Sequence, residues 1–138
     1  MVVGAGRGPL VEKTLKAAAQ TKKYVTIYAV EKNVNAIVTL EVIRDLRWGG
    51  NIGLSSGVVQ IVNEDMRYWN APHKADLVIS ELLGSFGDNE LSPECLDGVW
   101  NYVTEATISI PSSYSSYLCP VQSHRLHSQL DKRGNGYP

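Results

Sequence analysis

Apolar residues change their period several times along the chain, and each change marks an element. Met1 to Val3 is an apolar run broken by Gly4, Gly6 and Gly8, the signature of a buried strand running into a glycine turn. Pro9 stands where a helix would open, a place that suits proline because the first helical amide has no partner to lose. From Leu10 to about Thr21, Val11, Leu15, Ala18 and Ala19 recur at helical spacing, while Glu12, Lys13, Lys16 and Gln20 form a wet face. Val25 to Val30 is nearly continuous in apolar and β-branched residues, as in a strand covered on both faces. A helical period returns after Asn33 or Asn35, either of which suits a cap. Ala36, Ile37, Leu40 and Ile43 lie on its apolar side, and Trp48-Gly49-Gly50 ends it.

Val58 to Asn63, Ala75 to Ser80 and Thr107 to Ile110 read as three further strands, the last closed by Pro111. No helical period separates the first two of these. Tyr68 and Trp69, ahead of Pro72, read as packing residues. Ser92, Pro93 and Glu94 read as cap, first turn and acidic second position of a helix reaching about Val103. The resulting order predicts an α/β fold, a doubly wound Rossmann-like sheet. SSYSSYLCPV leaves it in extended form, residues 121–138 are expected to be poorly ordered, and Gly49 to Gly57, containing NIGLSSG, reads either as a surface loop or as a mis-spliced or retained intronic scrap.

Composition narrows the class without naming a function. With 138 residues the chain has room for one domain, and 43% hydrophobic with 20% charged residues is ordinary for a soluble globular protein. A net charge of -1 argues against a general polyanion binder, so no direct nucleic-acid partner is expected. No apolar run has the length of a membrane span and no leader pattern opens the chain, which predicts no membrane association and a cytoplasmic or nuclear setting. Cys95 and Cys119 lack metal-ligand spacing and read as reduced thiols. His124 and His127 stand three apart without a third ligand, so no metal is expected, and His73 reads as surface. Only three residues precede Gly4, an abrupt start for a strand. The expectation is a piece truncated at both ends, with apolar surface left uncovered and marginal solubility.

Candidate chemistry lies at the ends of the strands. A strand, glycine loop and helix together set backbone amides and a helix N-terminus beside a ligand. The spacing is Gly-x-Gly-x-Gly, with the third glycine one residue early for the dinucleotide fingerprint, which disfavours a nicotinamide oxidoreductase. A plain structural turn is the blander alternative. Glu31 ends the second strand, where an acid can accept from both hydroxyls of a ribose or simply face solvent. Asp65-Met66 lies just past the third strand, on the side where open parallel sheets bind ligands. Glu81 and Glu90 are nine residues apart, which would oppose them on a continuous helix. Gly84, Gly87, Asp88 and Asn89 between them form turns instead, so a return limb would bring both carboxylates to one side. Such a pincer suits a planar guanidinium, which pairs with carboxylates as a fork; two solvated loop acids are the alternative.

SELLGSFGDNELSPECLDG resembles the double-glutamate loop of the protein arginine methyltransferases, in the wording of their type II, symmetric-dimethylating branch. MVVGAGRGPLV, YAVEKN and DMRYWNAP stand in the order and at about the spacing of that family's cofactor motifs, so the resemblance covers residues 1–120. It implies an S-adenosylmethionine-binding domain in which Gly4, Gly6 and Gly8 cradle the amino-acid end, Glu31 takes the ribose, Asp65 accepts from the adenine amino group and the Met66 backbone lies at the ring. Glu81 and Glu90 would be catalytic. It also implies symmetric dimethylation of arginines in histone tails and Gly/Arg-rich proteins, and a WD-repeat partner bound through a domain outside this sequence. Family members carry cofactor-contacting aromatics upstream of the glycine loop and a β-barrel with a dimerisation arm downstream. Their absence here makes a non-catalytic cofactor-binding or scaffold fragment the second expectation.

Overall fold

The computed structural model describes residues 1–49 and 56–133, so the interior of the expected Gly49–Gly57 loop lies outside the described residues. Five strands, β1 (Val2–Val3), β2 (Val25–Val30), β3 (Gly57–Val62), β4 (Leu77–Ser80) and β5 (Ile108–Ile110), form one sheet in the order β3-β2-β1-β4-β5. Every pairing is parallel. Among the described residues four α-helices, α1 (Pro9–Gln20), α2 (Val34–Ile43), α3 (Ser92–Val99) and α4 (His124–Arg133), accompany it.

Alternation along the strands sorts two cores. Val2, Ile27, Ala29 and Val59 face Val11 and Leu15 of α1 and Ile37 and Leu40 of α2. Val3, Tyr28, Val30 and Val78 face the other way, onto Trp69, Ala75, Val99 and Tyr102. The sheet is thus covered on both sides, which is why its central strands are continuous apolar runs. Val3 pairs with Val30 on one side and Ser80 on the other, so the C-terminal ends of β1, β2 and β4 are level. The chain order reverses between β1 and β4, and the crevice beyond those strand ends is where such sheets bind ligands.

Asn33 is the cap of α2, its side chain accepting from the Asn35 amide at 3.0 Å. The α-helix then widens into a π-turn over Arg44–Trp48, which carries Trp48 into the first core. At α3 the expected cap differs. Leu91, with a left-handed φ of 62°, occupies the cap position without a side-chain bond, and Ser92 is a buried first helical residue. A 3-10 turn over Asp88–Glu90 delivers the chain in that conformation, which leaves Ser92 no solvent-facing cap geometry. The α-helix also stops at Val99; Trp100–Tyr102 tightens to a 3-10 turn that buries Tyr102. Tyr68 is 79% exposed rather than packed, while its neighbour Trp69 fills the core between Tyr28 and Tyr102. Within the stretch expected to be poorly ordered, α4 forms with a His127–Asp131 pair at 2.9 Å along one face.

Candidate cofactor and guanidinium site

The glycine loop leaves β1 as a tight turn. The Gly4 and Ala5 amides both donate to the Val30 carbonyl at 3.0 Å, which bends the loop over the end of β2. Gly8 has a φ of 90°, and a Cβ there would lie 2.5 Å from Trp48 Cη2 and 3.0 Å from Leu40 Cδ2. That position therefore needs glycine twice over, for conformation and for clearance. Gly6 is different: nothing lies within 4 Å of where its Cβ would be, so the backbone there is open to close approach by a ligand.

Glu31 is tied directly to this loop. Its Oε2 accepts from the Gly6 amide and its Oε1 from the Asn33 amide, each at 2.8 Å. Both oxygens are fixed by backbone donors, and each keeps a second lone pair for a hydroxyl. Asn63 steadies the same corner by donating from Nδ2 to the Glu31 carbonyl at 3.2 Å.

Past β3 the chain makes a turn in which Asp65 is the hub. Arg67 donates from Nε to Oδ1 at 3.0 Å and from Nη2 to Oδ2 at 2.7 Å, and its own amide donates to Oδ1 at 3.0 Å. Lys32 Nζ stands 3.6 Å from Oδ2. The hydrogen bonds from Arg67 hold the Asp65 carboxyl well below the usual carboxylate range, and the same bonds raise the Arg67 guanidinium further above its ordinary value. The Arg67 guanidinium also lies 5.3 Å from the Tyr68 ring centroid. Behind the turn, Tyr102 donates to the Met66 carbonyl at 3.2 Å, and burial pushes its phenol up to about 12.

Beyond β4 the acidic loop closes on itself. Gly84 and Gly87 exchange backbone hydrogen bonds of 2.9 and 3.3 Å, and Asn89 Oδ1 accepts from the Phe86 amide at 2.9 Å. Tyr114 hydrogen-bonds Asp88 Oδ1, joining the loop to the segment after β5. A Cβ on Gly84 would meet Glu90 Cγ at 2.8 Å, so the loop folds the Glu90 stem back onto the limb that Glu81 opens. Both glutamates are exposed, and neither has a hydrogen bond or ion pair among the described residues. Phe86, Asp88, Asn89, Tyr114 and Ser116 frame a concavity of about 460 Å3 that neither glutamate lines. A second cavity of about 500 Å3, lined by Thr14, Tyr24, Gln60 and Asp76, lies at the opposite, N-terminal ends of β2 and β4.

The loops that carry the residues singled out from the sequence therefore adjoin one another beyond the strand ends. The place of a Gly4 Cβ is 3.1 Å from Leu82 Cδ2 and 3.4 Å from Met66 Cε, which links the loops after β1, β3 and β4. Glu31 links β2 to Gly6, and Lys32 links β2 to Asp65. Sequence reading missed Arg67, Tyr102 and Trp48 as supports. Arg67 stands two residues from Asp65, a spacing that allows a fork onto it. No pattern in the sequence joins Tyr102 to Met66.

A family model described as PRMT5 arginine-N-methyltransferase matches residues 1–110. The chain is 52% identical over 94% of its length to protein arginine N-methyltransferase 5 of Xenopus laevis, covering 19% of that protein. It is 50% identical over 93% of its length to protein arginine N-methyltransferase skb1 of Schizosaccharomyces pombe, covering 20% of it. The chain thus spans about a fifth of the length of the curated relatives it matches. Among solved structures, an S-adenosylmethionine-dependent methyltransferase from Clostridium acetobutylicum superposes with a TM-score of 0.53 at 16% identity, over 78% of this chain and 39% of that one. That likeness concerns the fold.

Proposed function

This chain belongs to the PRMT5 arginine-N-methyltransferase family, and from that premise we propose that it forms the cofactor-binding and guanidinium-holding part of a type II enzyme, one that makes symmetric dimethylarginine. The observation that carries the proposal is the convergence of the glycine loop, Glu31, the Asp65 turn and the acidic loop on the level strand ends beside the β1/β4 reversal. These residues fit S-adenosylmethionine. Gly6 offers unobstructed backbone, Glu31 is oriented with lone pairs to spare, and Asp65 is a fixed acceptor at the far end.

When bound, the cofactor supplies a methyl already activated on a sulfonium. Gly6 would give the backbone room at its amino-acid end, with Gly4 and Gly8 shaping the turn that presents it, Glu31 would take the ribose hydroxyls, and Asp65 with the Met66 backbone would take the adenine edge. Glu81 and Glu90, free of internal partners among the described residues, can spend their lone pairs on the two edges of an arginine guanidinium. Holding it this way orients one nitrogen for in-line attack and draws the positive charge away from it. One of the two acids, or water, takes the proton that the nitrogen loses. The substrates we propose are arginines of histone tails and Gly/Arg-rich proteins, in the cytoplasm and nucleus, with a WD-repeat protein as partner of the full-length enzyme. A second reading is cofactor binding without transfer, which calls on the glycine loop, Glu31 and the Asp65 turn but not on Glu81 or Glu90.

A labelled-methyl assay on a Gly/Arg-rich peptide, followed by hydrolysis and separation of the methylarginines, distinguishes these readings. We expect monomethyl and symmetric dimethylarginine, with Glu81→Gln and Glu90→Gln each lowering the rate by about 100-fold or more. Asymmetric product would refute the type II assignment, and cofactor binding without any methylarginine would favour the second reading.

A further inference from the structure

We infer that Arg67 is a positioning residue that makes the site selective for a 6-aminopurine, by leaving Asp65 one acceptor position and fixing where it points. The inference rests on the cofactor reading above. An ionised carboxylate has about four lone-pair positions and no donor. On Asp65, Oδ1 accepts from both Nε and the backbone amide of Arg67, which fills it. Oδ2 accepts from Nη2 at 2.7 Å, and its other neighbour, Lys32 Nζ, is 3.6 Å away on a side chain 67% exposed. That distance is too long for a hydrogen bond. One position therefore stays free, on Oδ2.

The fork itself has little freedom. Gly98 of α3 packs so closely that a Cβ on it would fall 2.2 Å from the Arg67 Cα, and Tyr102 holds the carbonyl of the preceding Met66. The Arg67 backbone is clamped from behind while its guanidinium grips the carboxylate in front. An acceptor-only group held at one place receives an exocyclic amino group and repels a 6-oxo group that offers a second acceptor. Without the fork the carboxylate can turn, filling its lone pairs with water and tolerating either purine.

Calorimetric titration of the full chain with S-adenosylhomocysteine and with S-inosylhomocysteine, its 6-oxo analogue, tests this. Wild type is expected to prefer the amino form by about 30-fold or more. Arg67→Met and Arg67→Lys should both cut that preference by about tenfold, since lysine keeps the charge but not the fork. Arg67→Lys also guards against Arg67→Met failing to fold. A purely structural role would weaken both ligands equally and leave their ratio unchanged, overturning the inference. So would a wild-type chain with no preference, or a full preference retained in Arg67→Lys; in each case the cofactor reading stands. A folded wild type that binds neither thioether removes the cofactor reading and the inference together.

Discussion

Gly8 shows how a single position sets the geometry of the loop. Alanine there would carry a left-handed φ of 90° and push a methyl into the Trp48 ring at 2.5 Å. Strain and overpacking together should cost about 3 kcal/mol, read as a lower urea midpoint with an unchanged slope. Asp65 and Arg67 make a second prediction, in pH. The folded Asp65 carboxyl lies below its ordinary value of 3.8, so the unfolded chain binds the proton first. Stability from this pair is fully present above about pH 5 and drains as the pH falls through the folded value. Their side chains are 20% and 35% exposed, so solvent screens the pair and Arg67→Met should lower stability only modestly at pH 7. Urea unfolding at pH 7, 5 and 3 should show that difference constant at first and shrinking in the most acid sample.

Among the elements, α3 does more than cover the sheet. It begins two residues after Glu90, and through Gly98 it lies against the Arg67 backbone, so it joins the acidic loop to the Asp65 turn. Gly98→Ala would drive a methyl into backbone that cannot yield, and should cost about 2 kcal/mol together with a loss of cofactor affinity. An affinity unchanged beside lowered stability would show that the two turns are independent. None of this was legible in the sequence, where Gly98 is one more glycine late in a helix. The strands were legible because burial on both faces makes them continuous apolar runs, as in β2, whose bounds Val25–Val30 match the reading. Pro9 marked one helix start through local chemistry, and Asn33 was one of the two candidate caps for the other. Ser92 misled because a left-handed Leu91, set by the preceding 3-10 turn, displaced it from the cap. That preference came from the loop rather than from any local propensity. The candidate site residues were legible as types at strand ends; the hydrogen bonds that orient them, Glu31 to Gly6 and Asp65 to Arg67, were not.

At the scale of the whole chain, the C-terminal ends of the strands gather the chemistry, and several large apolar side chains stay exposed elsewhere. Val34, Val38, Val42 and Leu46 form a stripe along α2 and the turn that follows, each more than half exposed, and Ile108 and Ile110 of β5 are similarly open. The central claim is that the strand-end rim binds S-adenosylmethionine through the glycine loop and Glu31. Calorimetric titration of S-adenosylmethionine into the chain, beside Glu31→Ala, tests it most directly. The account predicts saturable binding to the wild type and an affinity at least about tenfold lower in the variant, as expected when a charged hydrogen-bonding group is removed. No binding by a folded wild-type chain, or equal affinity in Glu31→Ala, would contradict it.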